Sequence, residues 1–240
     1  MRNLVIMVIV AIAVSGCKSV DRSAFSHGKV YAVVVVGITP KIKSLGGTGS
    51  AKQTLPTGLK SKAIAQSTTK VADKIASQYI KGLKKYAPVK IVSGPSVTGR
   101  KTYKRFKSID TSTISKKHVA TQKYHNYWMD DFKHMPKLAK QLGVDGVLMV
   151  YLTPGYYSHG TGVDFRGRRS GIYKPVVETF MDAYSADGKR VIRYNLRYSS
   201  ADKQAVRQDH SHYIKLNEAI ASKHAYLAGI DAAKRIWGIK

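Results

Sequence analysis

The stretch VVETFMDAYSADGKRVIRYNLRY, residues 176–198, decides the architecture of this chain. Two runs of alternating character, Pro175 to Tyr184 and Val191 to Tyr198, flank a short SADGK segment. Its Asp187-Gly188 pair is a strong hairpin signal, because glycine readily takes the positive φ that a tight turn between antiparallel strands requires. In the second run Ile192, Tyr194, Leu196 and Tyr198 share one face, while Arg193, Asn195 and Arg197 share the other. Successive side chains of a strand point to opposite sides, so this asymmetry predicts half-buried antiparallel strands.

Working upstream, the pattern changes. VDGVLMVYLTP gives a strand from about Gly146 to Thr153, with no polar alternation in its centre. Before it, Phe132, Met135, Leu138, Ala139 and Leu142 mark an amphipathic helix, with Pro136 near its first turn and Gly143 as its C-terminal cap residue. GYYSHGTGVDFRGRRSG, residues 155–171, is expected as a long connection between this strand and the hairpin. Near the start, KVYAVVVVGITP gives a first strand over about Val30 to Thr39, apolar throughout its middle as a strand covered on both faces should be. Pro40 and Gly46-Gly47-Thr48-Gly49 end it and open a loop through about Gly58.

From Lys60 to Tyr86 the apolar period becomes helical: Val71, Ile75, Tyr79 and Leu83 stand four residues apart, widened by Ala72, Ala76 and Ile80. Pro88 stops that helix, and a short strand follows at Val89 to Val92. Residues 93–130 are rich in Ser, Thr and Lys and are expected to hold a loop and a short helix. Leu216, Ala219, Ile220, Leu227, Ile230 and Trp237 outline a C-terminal helix. The order strand, helix, strand, helix, strand, hairpin, helix predicts a single α/β domain over residues 29–240, with a mixed sheet in two or three layers.

The N-terminus carries an address. Arg2 precedes an uninterrupted apolar run from Leu4 to Val14, and Ser15-Gly16 precede Cys17, the only cysteine. That is the layout of a secretory signal peptide over residues 1–16. Residues 4–17 supply 14 positions, where a spanning helix needs about 20. Val14-Ser15-Gly16-Cys17 resembles the lipobox of bacterial lipoproteins, departing from it in having Val at 14 where Leu is usual. The resemblance implies that the Cys17 thiol is linked to a diacylglyceryl group, with residues 17–28 as a lipidated tether. Lys18 follows the cysteine, not the aspartate associated with inner-membrane retention, so the resemblance implies an outer-membrane anchor facing the periplasm. Several acyl chains, each contributing about 0.8 kcal/mol per buried methylene, hold such a protein to a bilayer.

Charge is lopsided. Forty-one Lys and Arg stand against 14 Asp and Glu, a formal charge of +27. Between Lys18 and Met129 the only acids are Asp21, Asp73 and Asp110, against twenty-two basic residues. Such a chain attracts polyanions. For an exported protein these are phospholipid headgroups, peptidoglycan carboxylates, lipopolysaccharide phosphates or acidic polysaccharide, and nucleic acid is not expected.

AKQLGVDGVLMVYLTPGY, from Ala139, and VVETFMDAYSADGKRVIRY resemble the lipoprotein group of the curli-secretion channel subunit and the penicillin-binding-protein activator. In that group a helix ends in a phrase like Leu142-Gly143-Val144-Asp145 and leads into a strand, then a glycine-turned hairpin like Asp182 through Lys189. The resemblance implies a fold like the amino-terminal domain of TolB, and a role in binding or assembly without catalysis or cofactor. Its channel-forming members carry amphipathic membrane hairpins; residues 155–171 are too glycine-rich and charged to be read as one.

Two basic segments are candidate anion sites. GRKTYKRFK, residues 99–107, interleaves Arg100, Lys101, Lys104, Arg105 and Lys107 with Tyr103 and Phe106. FRGRR, residues 165–169, places Arg166, Arg168 and Arg169 in a short span. Guanidinium forks and ammonium groups suit carboxylate and phosphate, and aromatic faces suit sugar rings. Asp209, His210 and His212 lack further ligands at recognisable spacing, so no metal site is expected. The glycine cluster at 46–49 lacks a complete phosphate-loop pattern, and no serine sits in a nucleophile elbow. Only Glu178 and Glu218 supply glutamates, so paired carboxylates for glycan hydrolysis are scarce. The expected role is a non-enzymatic, lipid-anchored binder of an anionic envelope component or periplasmic assembly. The alternative is a homo-oligomeric ring or scaffold subunit of an export, secretion or flagellar machine.

Overall fold

A computed structural model describes residues 19–39, 43–44, 62–107, 119–121, 123–127, 129–163, 169–201, 204–207 and 220–239. Its strands are β1 (Ser19–Val20), β2 (Val30–Ile38), β3 (Lys43–Ser44), β4 (Lys90–Val92), β5 (Val119–Ala120), β6 (Gly146–Val163), β7 (Arg169–Ser185), β8 (Arg190–Ser199) and β9 (Gln204–Arg207). The α-helices are α1 (Lys62–Lys85), α2 (Pro95–Thr98), α3 (Lys101–Arg105), α4 (Met135–Leu142) and α5 (Ala225–Trp237). The chain forms an α/β fold with a mixed, open sheet in the order β1-β8-β7-β6-β2-β4.

The centre of that sheet follows from the apolar run in β2. Tyr31 to Ile38 are all buried, and β2 pairs in parallel with β4 on one side and β6 on the other. Strands with neighbours on both edges and helices above and below bury both faces, which the uninterrupted valines permit. The Leu142-Gly143-Val144-Asp145 phrase has a physical explanation at this junction. Gly143 ends α4 in the left-handed conformation, at φ 64 and ψ 42. Asp145 then clasps the start of β2: its carboxylate accepts from the Val30 N–H at 2.8 Å, and its own N–H donates to the Val30 carbonyl at 2.9 Å. The Ala186 N–H of the β7–β8 turn donates to the Asp145 carbonyl at 2.8 Å, so one residue ties three elements.

Helices cover both faces. Thr179 and Tyr184 lie on opposite sides of β7 because they are an odd number of residues apart. Tyr79 of α1 lies beside the Thr179 side chain, whereas Phe132, just before α4, lies 6.4 Å from the Tyr184 ring. On the first face α1 packs against α5 so closely that glycine is required. A Cβ on Gly82 would come within 2.1 Å of the Tyr226 carbonyl oxygen, and one on Gly229 within 2.1 Å of the Tyr79 carbonyl oxygen. Ala225, Ala228, Ala232 and Ala233 complete the small-residue face of α5.

Three expectations change on folding. Residues 155–171 are not mainly a connection: β6 runs on to Val163 and β7 starts at Arg169, paired from Gly146↔Ser185 out to Val163↔Arg169. Backbone pairing sustains these extensions, with β3 beside β6 at Gly155 and Tyr156 and β9 beside β7 from Ser170 to Tyr173. Ladder hydrogen bonds need no apolar alternation, which is why side-chain pattern did not reveal them. Residues 19–28, expected as part of a tether, lie against the body. Ser19 pairs with Arg193 in β8, Asp21 caps a 3-10 turn at Arg22–Phe25, and Phe25 is buried 4.8 Å from the Tyr31 ring. Among the described residues of the segment 93–130, two short helices stand where one was expected.

Candidate functional site

The basic segment at residues 99–107 divides into cations that hold the fold and cations that face solvent. Gly94, at φ 64, turns the chain into α2 with Pro95 at its first position. Arg100 then bridges two helix ends. Its Nε donates to the Ser96 carbonyl at 3.0 Å, and one terminal nitrogen donates to the Leu142 carbonyl at 2.6 Å. Leu142 ends α4, where carbonyls lack partners within the helix, so this guanidinium caps α4 and fixes α3 beside it. Arg100 is therefore a structural cation.

Tyr103 does the same work for α3 from the inside. It is fully buried; its hydroxyl donates to the Val34 carbonyl at 2.7 Å and accepts from the His125 N–H at 2.8 Å. Tyr124 and Tyr127 approach its ring edgewise, each with centroids 6.4 Å away. Burial pushes the Tyr103 hydroxyl well above the usual phenol range, so it stays protonated.

With Tyr103 pointing inward, Lys101, Thr102 and Arg105 point toward α4. There they meet Lys137 and Gln141 and, with Phe106, line an open groove of about 510 Å³. Lys101 and Arg105 are one helical turn apart, as are Lys137 and Gln141, so two helices each present a polar pair. Among the described residues no carboxylate lines the groove. Three cations, two neutral hydrogen-bonding side chains and a half-buried phenyl edge can hold carboxylate or phosphate beside a sugar face. The lining holds no nucleophile with an adjacent base.

Of the expected site residues, Lys101 and Arg105 come together in the groove. Lys104 and Lys107 are exposed outside its lining, and Arg100 is committed to the α3–α4 junction. Arg166 and Arg168 lie outside the described residues, as do Cys17, His210, His212, Asp209 and the glycine cluster at 46–49. Arg169 begins β7. Sequence reading missed Lys137 and Gln141. Their signal was available: they occupy the polar side of the α4 stripe, one turn apart. What was missing was the knowledge that α3 packs on that side. Among the described residues no group of three or more His, Cys, Asp or Glu side chains stands ready to hold a metal ion, and no helix is long and apolar enough to cross a membrane.

A second charged cluster lies on β7 and β8. Asp182 is only 2% exposed, and its Oδ1 has no hydrogen-bond partner. Arg190 Nε is 3.9 Å from it, and Arg193 stands opposite in register. Burial raises the Asp182 carboxyl to a pKa of about 6, against the opposing pull of Arg190 and Arg193. The Arg190 guanidinium also sits 5.6 Å over the Tyr184 ring.

No family model matches this chain, and no curated protein does. Among solved structures it is similar to a neuraminyllactose-binding hemagglutinin homolog from Helicobacter pylori, with TM-score 0.34, 9% identity, and coverage of 90% of this chain and 94% of that one. It is also similar to a PelC dodecamer from Paraburkholderia phytofirmans, with TM-score 0.26, 11% identity, and coverage of 90% and 95%. At those scores neither likeness bears on fold or function.

Proposed function

We propose that this chain is a non-enzymatic, lipid-anchored envelope protein that binds an anionic envelope component, or a periplasmic assembly bearing one, through a basic surface. The observation that carries the binding is the groove of Lys101, Arg105 and Lys137, which is cationic and, among the described residues, free of carboxylate. The Arg100 cap and the buried Tyr103 hold its walls, so the cations are presented on a fixed frame. Pre-organisation of this kind lowers the entropic cost of ordering the side chains on a ligand. The signal-like N-terminus and the lipobox-like Val14 to Cys17 support an envelope address, where polymers bearing carboxylate and phosphate are at hand.

The test uses the full lipoprotein in neutral detergent, pulled down on purified peptidoglycan, on lipopolysaccharide and on an uncharged glucan across a salt series. Binding to an acidic polymer, weakening as salt screens the pair, is the expected result. Replacing Lys101 and Arg105 together by Ala should weaken it about tenfold or more, since each charge-assisted hydrogen bond contributes about 1.5–3 kcal/mol. Absence of binding at low salt, or full binding by the double variant, refutes the proposal. Native mass of the same preparation addresses the ring or scaffold alternative, which requires several copies where polymer capture requires one.

A further inference from the structure

The chain enters its fold at a fixed point. β1 is laid antiparallel on β8, with Ser19 opposite Arg193 and Val20 opposite Ile192. The Asp21 N–H donates to the Val191 carbonyl at 2.9 Å, and the Asp21 carboxylate pairs with Lys189. Arg22 donates to the Ile236 carbonyl at 3.1 Å, capping α5, and Phe25 is buried between Tyr31 and Trp237, with ring centroids at 4.8 and 6.1 Å. Successive contacts of different kinds hold the chain from Ser19 to Phe25 against the sheet and α5.

Cys17 is two residues upstream. Two trans peptide units reach about 7 Å at most. The interfacial layer on each side of a bilayer is itself about 5–7 Å deep, from a hydrocarbon core near 30 Å within a total near 40–45 Å. A lipid on Cys17 therefore brings Ser19, and the edge of the sheet with it, to the headgroups.

The residues on that edge suit such contact. Lys189 and Arg190 are 64% and 40% exposed, and Arg193, Asn195 and Arg197 are exposed along β8. Tyr194 and Tyr198 are half-buried on the same strand. Long cationic side chains and tyrosines are the types that place apolar stems in a bilayer interface and polar ends in water. Charge is nearly balanced here: Asp21 pairs with Lys189 and Glu178 with Arg197, Asp187 sits in the turn, and Arg190 and Arg193 stand over the buried Asp182. A balanced surface complements zwitterionic headgroups, which carry phosphate and ammonium together. It gives no preference for acidic ones.

Resting on the reading that Cys17 is lipidated, we propose that the β1–β8 edge, from Lys189 through Arg197, is the face that meets the zwitterionic headgroup layer of the anchoring bilayer. The basic groove stands away from it. β7, β6 and β2, beneath the groove helices, are two to four strands from β1 in the sheet order, about 9–19 Å at the usual strand spacing. The groove is thus left open to a polymer that is not part of the anchoring leaflet.

The experiment labels the intact lipoprotein with an environment-sensitive fluorophore at Asn195→Cys and, separately, at Gln141→Cys. Both sites are exposed, and acylation consumes the one native thiol. Each protein is reconstituted in phosphatidylcholine vesicles doped with a headgroup-attached nitroxide. Quenching of the Asn195 label at least twofold stronger than that of the Gln141 label, unchanged in 0.5 M salt or on adding acidic lipid, is expected for a label on β8 at the edge against one on a helix over β7 and β6. Equal quenching, stronger quenching at Gln141, or a requirement for acidic lipid overturns the inference. Flotation of the same vesicles separates the two readings. Protein that fails to float refutes the lipid anchor itself, and protein that floats with the reverse pattern refutes the orientation alone.

Discussion

Replacing Asp182 by Asn should stabilise this protein at neutral pH. The carboxylate is buried, its Oδ1 accepts no hydrogen bond, and Arg190 is too distant at 3.9 Å to supply one. Burial lifts its pKa from 3.8 to about 6, and the nearby charges of Arg190 and Arg193 recover only part of the lost hydration. The folded carboxyl binds its proton more tightly than the unfolded one. Between pH 4 and 6 the native state therefore holds more protons, and stability falls as pH rises through that window. Its contribution is fully present below about pH 4 and lost above about pH 6. About two pKa units correspond to about 3 kcal/mol.

An asparagine keeps the shape and removes the charge, though it loses the attraction of the two guanidiniums. A net gain of about 1–3 kcal/mol is expected at pH 7.5, equivalent to a few degrees per kcal/mol in Tm for a domain of this size. At pH 4 the difference between the two proteins should vanish. Urea unfolding of both, followed by tryptophan fluorescence at half-unit steps from pH 4 to 7.5, reads the difference directly and cancels the titration of every other group. If Asp182→Asn is less stable at pH 7.5 by more than about 1 kcal/mol, the arginines outweigh desolvation and the assignment of signs is wrong.

Three further perturbations test other parts of the structure. Gly229→Ala improves helix propensity by about 1 kcal/mol, yet its Cβ would meet the Tyr79 carbonyl oxygen at 2.1 Å. A net loss of about 2 kcal/mol or more in urea unfolding is expected, and a neutral or stabilising result would show that α1 and α5 are not so closely packed. Tyr103→Phe strips partners from the Val34 carbonyl and the His125 N–H, which should cost about 1–3 kcal/mol; unchanged stability would contradict that hydrogen-bond pair. Arg100→Ala should lower stability by about 1 kcal/mol through loss of its bond to the Leu142 carbonyl, while Lys101→Ala leaves stability unchanged and weakens polymer binding. The reverse pattern would interchange the structural and ligand-binding roles of these neighbours.

The legible parts of the fold were those in which side chains carry the periodicity. The apolar centre of β2, the stripe of α1 and the alternating β7–β8 hairpin each have a burial pattern that projects onto the sequence. The outer halves of β6 and β7 do not, since Gly155, Gly162 and Gly171 contribute only backbone to the ladder. The stretch after Cys17 was illegible for another reason. β1 is two residues long, and Arg22 and Phe25 are held by α5 and β2, more than two hundred and about six residues away in sequence. Short elements fixed by distant partners leave no period to detect.

The same distinction limits what charge can say about a site. A formal +27 is a property of composition, and GRKTYKRFK reads as one cationic cluster. Folding separates its members by where their ends can reach. Arg100, next to a helix terminus with unpaired carbonyls, becomes a cap; Lys101 and Arg105, one turn apart, face α4; Lys104 and Lys107 project elsewhere. Lys137 joins the site from thirty-six residues downstream of Lys101 because Arg100 binds α3 to the end of α4. A groove therefore arises where one arginine, engaged at a helix end, positions three other cations. Removing that arginine should disperse the remaining cations while lowering the net charge by only one. Charge count alone would make Arg100→Ala and Lys104→Ala equivalent for polymer binding; the structure requires the first to be the more damaging.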